Sequence, residues 1–173
     1  MAAVISEDTL VAQLPEAAEI IVLRPGVLAH LARYQQRHWW QREAGGQLFA
    51  TLTNTCLDVS LATGPYRGDL RSRFGYRSTP ASAQREIERQ RDRGLYYCGD
   101  WHTHPQPHPR ASPEDLDTIV RLQARSDLRL ASVLMVIQGT AVGVAGVAVY
   151  VCCDGRTLQC AVESAAPEVL PCP

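Results

Sequence analysis

The chain has 173 residues, 46% of them hydrophobic, with 17 basic side chains against 18 acidic ones and a formal net charge of −1. That length favours one domain with a full core, and the charge balance excludes the basic excess that marks non-specific nucleic-acid binding. Every basic residue is arginine, so no lysine side chain is present to receive an isopeptide tag.

Residues 1–23 mix short apolar runs with Glu and Pro, and only Ile20-Ile21-Val22-Leu23 reads as a strand. The opening Met1–Asp8 lacks the basic start and apolar core of a secretory signal. Pro25 suits a first helical turn, and Val27, Leu28, Leu31 and Tyr34 recur at helical spacing, which predicts a helix over 25–37. His30 and His38 read as structural or surface residues, and Trp39-Trp40 as core packing. Glu43 stands before a strand from Gln47 to Thr53, and by position alone it reads as a solvated loop carboxylate. Gly45-Gly46 lets the backbone pass close to another element. Cys56–Leu61 is the next strand.

Residues 64–79 are rich in glycine and arginine, either an exposed connection or a substrate-binding segment. If extended, the segment would alternate Arg71, Arg73 and Arg77 toward acidic groups. Pro80–Arg93 is a polar, exposed helix stopped by Gly94. Aromatic, β-prone residues then lead into Trp101 as a strand. Residues 106–110 form a proline-stiffened loop whose His108 lies outside the motif described next. A helix from Ser112 to Ala124 carries Leu116, Ile119, Val120 and Leu122. Leu130–Val151 is long enough to span a membrane, but its glycines, Gln138 and β-branched residues argue for two buried strands, Ala131–Ile137 and Val142–Cys153, with a turn between them. A turn at Asp154-Gly155 and a strand Thr157–Val162 follow. The tail from 165 to 173 is loosely attached to a domain covering 1–164. The six cysteines show neither C-x-x-C spacing nor a secreted-domain framework, and read as reduced thiols of a cytoplasmic protein.

The chemistry concentrates in Gly99-Asp100-Trp101-His102-Thr103-His104-Pro105 and Ser112-Pro113-Glu114-Asp115. Strand residues i and i+2 share a face, roughly 6.5–7 Å apart, so His102 and His104 can converge on one metal. Pro105 ends the strand beside them. Two imidazoles and one carboxylate, Asp115, with a fourth position open, describe a catalytic zinc. Ser112 and Asp115 also fit a helix start with Ser112 as N-cap and Asp115 completing a capping box. The two readings are compatible.

His-Thr-His-Pro, then Ser-x-x-Asp, with Glu43-Ala44-Gly45-Gly46-Gln47-Leu48 lying 59 residues before His102, resembles the motif set of the JAMM metalloproteases, the catalytic MPN domains. The phrase Gly94–Pro105 looks most like their prokaryotic branch, some of whose members sit beside ubiquitin-like conjugation enzymes in anti-phage operons. The resemblance covers residues 20 to 153 and implies an α/β fold: one domain, a mixed sheet packed by two principal helices, the site at strand and helix ends. It implies Zn²⁺ on His102, His104 and Asp115, Glu43 as general base and Ser112 as an oxyanion donor. It further implies a ubiquitin-like modifier and its conjugates as partners, companion conjugating enzymes beside them, and no nucleic acid or membrane. Cleavage after the modifier's C-terminal tail is the leading expectation. A sulfur-carrier or small-peptide peptidase, and a non-catalytic scaffold, are the alternatives. In deubiquitinating relatives an insertion at the place of residues 64–79 pairs with the extended tail, as main-chain recognition allows.

Overall fold

The computed structural model describes residues 9–14, 20–53, 56–125 and 132–165. In chain order the elements are β1 (Thr9–Gln13), β2 (Ile20–Leu23), α1 (Pro25–Ala32), β3 (Gly45–Leu52), β4 (Cys56–Ala62), β5 (Leu70–Ser72), β6 (Gly75–Arg77) and α2 (Pro80–Arg91). There follow β7 (Tyr96–Thr103), α3 (Pro113–Arg125), β8 (Ser132–Gln138), a short 3-10 turn (Gly143–Gly146), β9 (Val147–Cys153), β10 (Arg156–Gln159) and β11 (Ala161–Ala165).

Nine strands form one mixed sheet in the order β10-β9-β8-β7-β3-β4-β2-β1-β11, and β5 and β6 form a separate hairpin. β8 and β9 are buried on both faces, which is why their sequences are almost unbroken apolar runs. Leu134, Val136, Val149 and Val151 pack with Val27 and Leu31 of α1. Val133, Met135, Ile137, Ala148 and Tyr150 pack with Ile119 of α3 on the opposite face. The sheet curls until its edges meet. Cys160 alone separates β10 from β11, which lie at opposite ends of the strand order, and its N–H donates to the Val149 carbonyl at 2.9 Å. α1 therefore sits in the concavity, and α3 covers the outer face.

Among the described residues the three expected helices form, with α1 and α3 as the two that pack the sheet's faces, and several expected boundaries move. α1 ends at Ala32 instead of 37. Past that point the chain turns, and the Gln35 and Gln36 amides donate to the carbonyls of Gly139 and Arg73 at 2.9 and 2.8 Å. β1 was not legible, because its five residues do not alternate. Leu10 and Ala12 enter the main core, and Val11 packs with Val22 and Cys56 on the other side. The second expected late strand begins at Val147, not Val142, because Gly143 takes φ 68° and opens the 3-10 turn. The last strand divides at Cys160. Trp39 and Trp40, expected in the core, are 76% and 62% exposed. Cys98, Cys152 and Cys160 are buried free thiols as expected, whereas Cys56 is in a disulfide. Ala165 belongs to β11, and the rest of the expected tail lies outside the described residues. No helix among the described residues is long and apolar enough to cross a membrane.

The double glycine performs the role expected of it. A side chain on Gly46 would meet the Thr63 carbonyl oxygen at 1.8 Å, where the chain leaves β4. Because that contact is backbone, no rotamer relieves it. Gly46→Ala is therefore expected to destabilise the fold by about 1–3 kcal/mol, measurable as a lower urea midpoint. An unchanged midpoint would show that the close approach of β3 to residue 63 is not a constraint.

Candidate metal centre and groove

A bulge sets the aim of the site. Antiparallel pairing of β3 with β7 runs Gly45↔His102, Gly46↔Trp101, Gln47↔Asp100, Leu48↔Gly99 and then slips to Phe49↔Tyr97. The slip leaves Cys98 without an opposite residue, and Gly99 lies so close to β8 that a side chain would meet the Leu134 carbonyl at 2.0 Å. Cys98 and Trp101, three apart, consequently share the inner core. Without the bulge, strict alternation would turn His102 inward with Cys98. With it, Trp101 is the inward residue, its Nε1–H donating to the Thr63 carbonyl at 2.9 Å and its ring edge-on to His30. His102 faces outward. His104 follows the strand end, its N–H held by the Gln138 carbonyl at 2.9 Å.

α3 brings the carboxylate. Asp115 N–H donates to Ser112 Oγ at 3.2 Å, and Ser112 N–H donates to Asp115 Oδ2 at 2.7 Å, so the capping box forms. The Ser112 hydroxyl also donates to Asp115 Oδ2 at 2.7 Å. Asp115 turns both oxygens toward the histidines, Oδ1 at 3.3 Å from His102 Nε2 and Oδ2 at 3.4 Å from His104 Nε2. The two Nε2 atoms are 3.1 Å apart. A tetrahedral ion with ligand bonds of about 2.0–2.1 Å has ligand–ligand edges of roughly 3.3–3.4 Å, so these three side chains fit such an ion with little movement. His102, His104 and Asp115 are the group that could hold a metal among the described residues.

Glu43 Oε1 lies 3.9 Å from His104 Nε2. Its placement rests on two supports the sequence did not reveal. Thr103, between the two histidines, is clamped to the residue after Glu43: its N–H donates to the Ala44 carbonyl at 2.9 Å and its Oγ1 accepts the Ala44 N–H at 3.0 Å. That hydroxyl in turn donates to Gln36 Oε1 at 3.3 Å. On the other side the β5–β6 hairpin holds the Glu43 backbone. Glu43 N–H donates to the Ser72 carbonyl at 2.7 Å, and Arg71 Nε donates to the Glu43 carbonyl at 2.6 Å. Arg71 and Arg73 thus meet main-chain carbonyls rather than the acidic groups their spacing suggested. His108 bonds the Ala145 carbonyl and takes no part in the cluster.

Burial pushes the Glu43 carboxyl up to about 7; the neighbouring His104 opposes the rise, while Asp115 and Glu114 add to it. Burial works against ionised Asp115 as well, but hydrogen bonds from His102 and His104 outweigh it and hold that carboxyl well below the usual range. For His104 burial disfavours the cation, yet Asp115 and Glu43 raise its pKa overall. Two carboxylates that both approach His104 are therefore driven in opposite directions. Asp115 stays ionised, as a metal ligand would have to be, and the Glu43 carboxyl is poised near neutrality, as a group that takes up and releases a proton would have to be.

A groove of about 1020 Å³ passes over the cluster. Leu70, Phe74 and Arg77 of the hairpin region form one wall, and Thr118, Leu122 and Arg125 along α3 form the other.

Comparisons with known proteins agree with this fold. A solved structure of a protein from Desulfitobacterium hafniense superposes with a TM-score of 0.54 at 19% identity, covering 78% of this chain and 84% of that one, which shows a shared fold. A protein of Escherichia coli named CD-NTase/cGAS isopeptidase is 28% identical over 103 residues, and one of the same name from Vibrio cholerae is 29% identical over 99. The matched stretches cover 58% and 56% of this chain and 66% and 64% of those relatives, so the likeness spans less than two thirds of either relative. The family model described as prokaryotic homologs of the JAB domain matches residues 26–152, from the start of α1 to the end of β9. The chain belongs to that JAB family.

Proposed function

We propose that this protein is a zinc-dependent isopeptidase that cleaves after the C-terminal tail of a ubiquitin-like modifier, releasing a conjugated protein or maturing a precursor in a bacterial anti-phage pathway. The observation that carries the reading is the meeting of His102, His104 and Asp115 at tetrahedral-edge distances with Glu43 beside them. The names of the E. coli and V. cholerae relatives support an isopeptide bond as the target and a CD-NTase as the conjugated protein. Companion conjugating enzymes are the expected source of the substrate.

His102, His104 and Asp115 would hold the zinc, which when bound supplies a Lewis acid that polarises the scissile carbonyl and acidifies water. Glu43 takes the proton from the attacking water as its oxygen bonds the carbonyl carbon. It then delivers that proton to the departing amine as the C–N bond breaks. Ser112 orients Asp115 through its hydroxyl, and rotation of that hydroxyl toward the carbonyl oxygen would let it donate to the developing oxyanion, a contribution of about 2.7–4 kcal/mol for a comparable donor.

Glu43→Gln is expected to keep zinc, measured by elemental analysis, and to lose turnover of a CD-NTase conjugate. Retained turnover would remove Glu43 as the base. Asp115→Ala is expected to lose most bound zinc, because two histidines alone remain; a variant with full metal would leave Asp115 only its capping role. Arg71→Ala should lower kcat about tenfold or more while zinc content stays near wild type, since it frees the Glu43 carbonyl without touching a ligand. A rise in KM alone would instead place Arg71 in substrate binding.

A further inference from the structure

Four large apolar side chains stand in solvent beside the groove. Trp39 is 76% exposed, Trp40 62%, Phe74 75% and Leu70 67%. Singly, such residues are ordinary; gathered on one surface they mark a contact site. Here they are gathered and held in place. The Trp39 and Trp40 rings meet edge to face at 5.9 Å, and His38 stacks on Trp40 at 4.6 Å. Arg73 lies over the Phe74 ring at 5.3 Å and donates to the Trp39 carbonyl, tying the loop to the hairpin. Gln36 Nε2 bridges the Gln41 and Arg73 carbonyls at 3.3 and 2.8 Å. Fixing the two tryptophans before any partner arrives removes much of the entropy a partner would otherwise have to overcome.

The surface is also charged in one sense. Residues 37–43 and 70–77 contain Arg37, Arg42, Arg71, Arg73 and Arg77, and their single carboxylate, Glu43, is buried in the site. Among the described residues none of these arginines is paired with a carboxylate. The whole chain has a net charge of −1, so the positive charge here is a local segregation. A two-fold dimer through this patch would set basic surface on basic surface. Tryptophan and arginine together are the residues that dominate protein–protein contact energies. The complement is another protein with an apolar face rimmed by aspartate and glutamate.

We propose that the Trp39–Trp40 loop and the β5–β6 hairpin form a docking surface for the folded body of the conjugate. The proposal rests on the isopeptidase reading, because Leu70 and Phe74 belong both to this patch and to the groove in which the scissile bond would lie. The groove would bind the tail, and the patch would bind the body behind it.

The test uses the zinc-loaded full chain carrying Glu43→Gln, so that bound conjugate is retained. p-Benzoylphenylalanine replaces Phe74, and in a control replaces the exposed Leu158 of β10, which does not line the groove. Irradiation in the native cells and mass spectrometry are expected to join position 74, and not position 158, to the conjugate held in the groove, through a segment rich in acidic residues. With that conjugate purified, Trp39→Ala/Trp40→Ala should weaken its binding about tenfold or more and leave binding of its isolated tail peptide unchanged. Arg37→Glu/Arg42→Glu should weaken it too and reduce its salt dependence. A conjugate that is retained yet neither cross-linked at 74 nor sensitive to the tryptophan pair overturns the docking surface and leaves the isopeptidase reading intact. Cross-links only to nucleic acid, or only to a second copy of this chain, overturn it equally. If no conjugate is retained by either route, the isopeptidase reading fails and the docking surface falls with it.

Discussion

The antiparallel register between β3 and β7 is the constraint from which the site follows. It sets Gly45 opposite His102, and that one alignment brings residues distant in sequence into chemical reach. A slip of one residue would reverse the faces of β7, turning His102 into the core and Trp101 out of it. The bulge at Cys98–Gly99 makes the register consistent with two demands, an inward Trp101 and an outward His102. The glycines on β3 permit the close packing on which it depends. Thr103 then converts strand pairing into site geometry, because its backbone and hydroxyl both engage Ala44. The segment carrying Glu43 and the segment carrying His102 and His104 cannot move apart without losing both bonds.

Much of the centre was readable from the linear chain because its parts are local. His102 and His104 are separated by one residue, and Ser112 and Asp115 by two, spacings at which strand and helix periodicity predict a shared direction. Glu43 was different. Nothing in its position distinguishes it from a solvated carboxylate, and only the glycines after it, together with the family resemblance, singled it out. The structure surrounds it with Ala44, Thr103, Ser72 and Arg71, contacts that span tens of residues and leave no periodic trace.

The failures have a common cause. α1 stops early because Gln35 and Gln36 are needed as connectors to Gly139 and Arg73, a tertiary requirement invisible to helical periodicity. β1 lacks alternation because it is buried on both sides. Trp39 and Trp40 look like core by composition, yet they lie outside. Hydrophobicity reports that a side chain gains from burial without saying whether its own chain or another supplies the cover. The curl of the sheet, which brings β10 and β11 to opposite edges with a single residue between them, was likewise beyond any local reading.

That curl also governs how the backbone is threaded. β1 and β11 are paired neighbours, with Thr9 directly across from Ala165, so the first and last strands described lie side by side. Every proposed ligand and proton carrier falls in the arc from Glu43 to Asp115, and the strands outside that arc serve as a return path. The Asp154-Gly155 turn between β9 and β10 belongs to that return path, so a segment inserted there would lengthen the backbone while leaving the chemical arc unbroken.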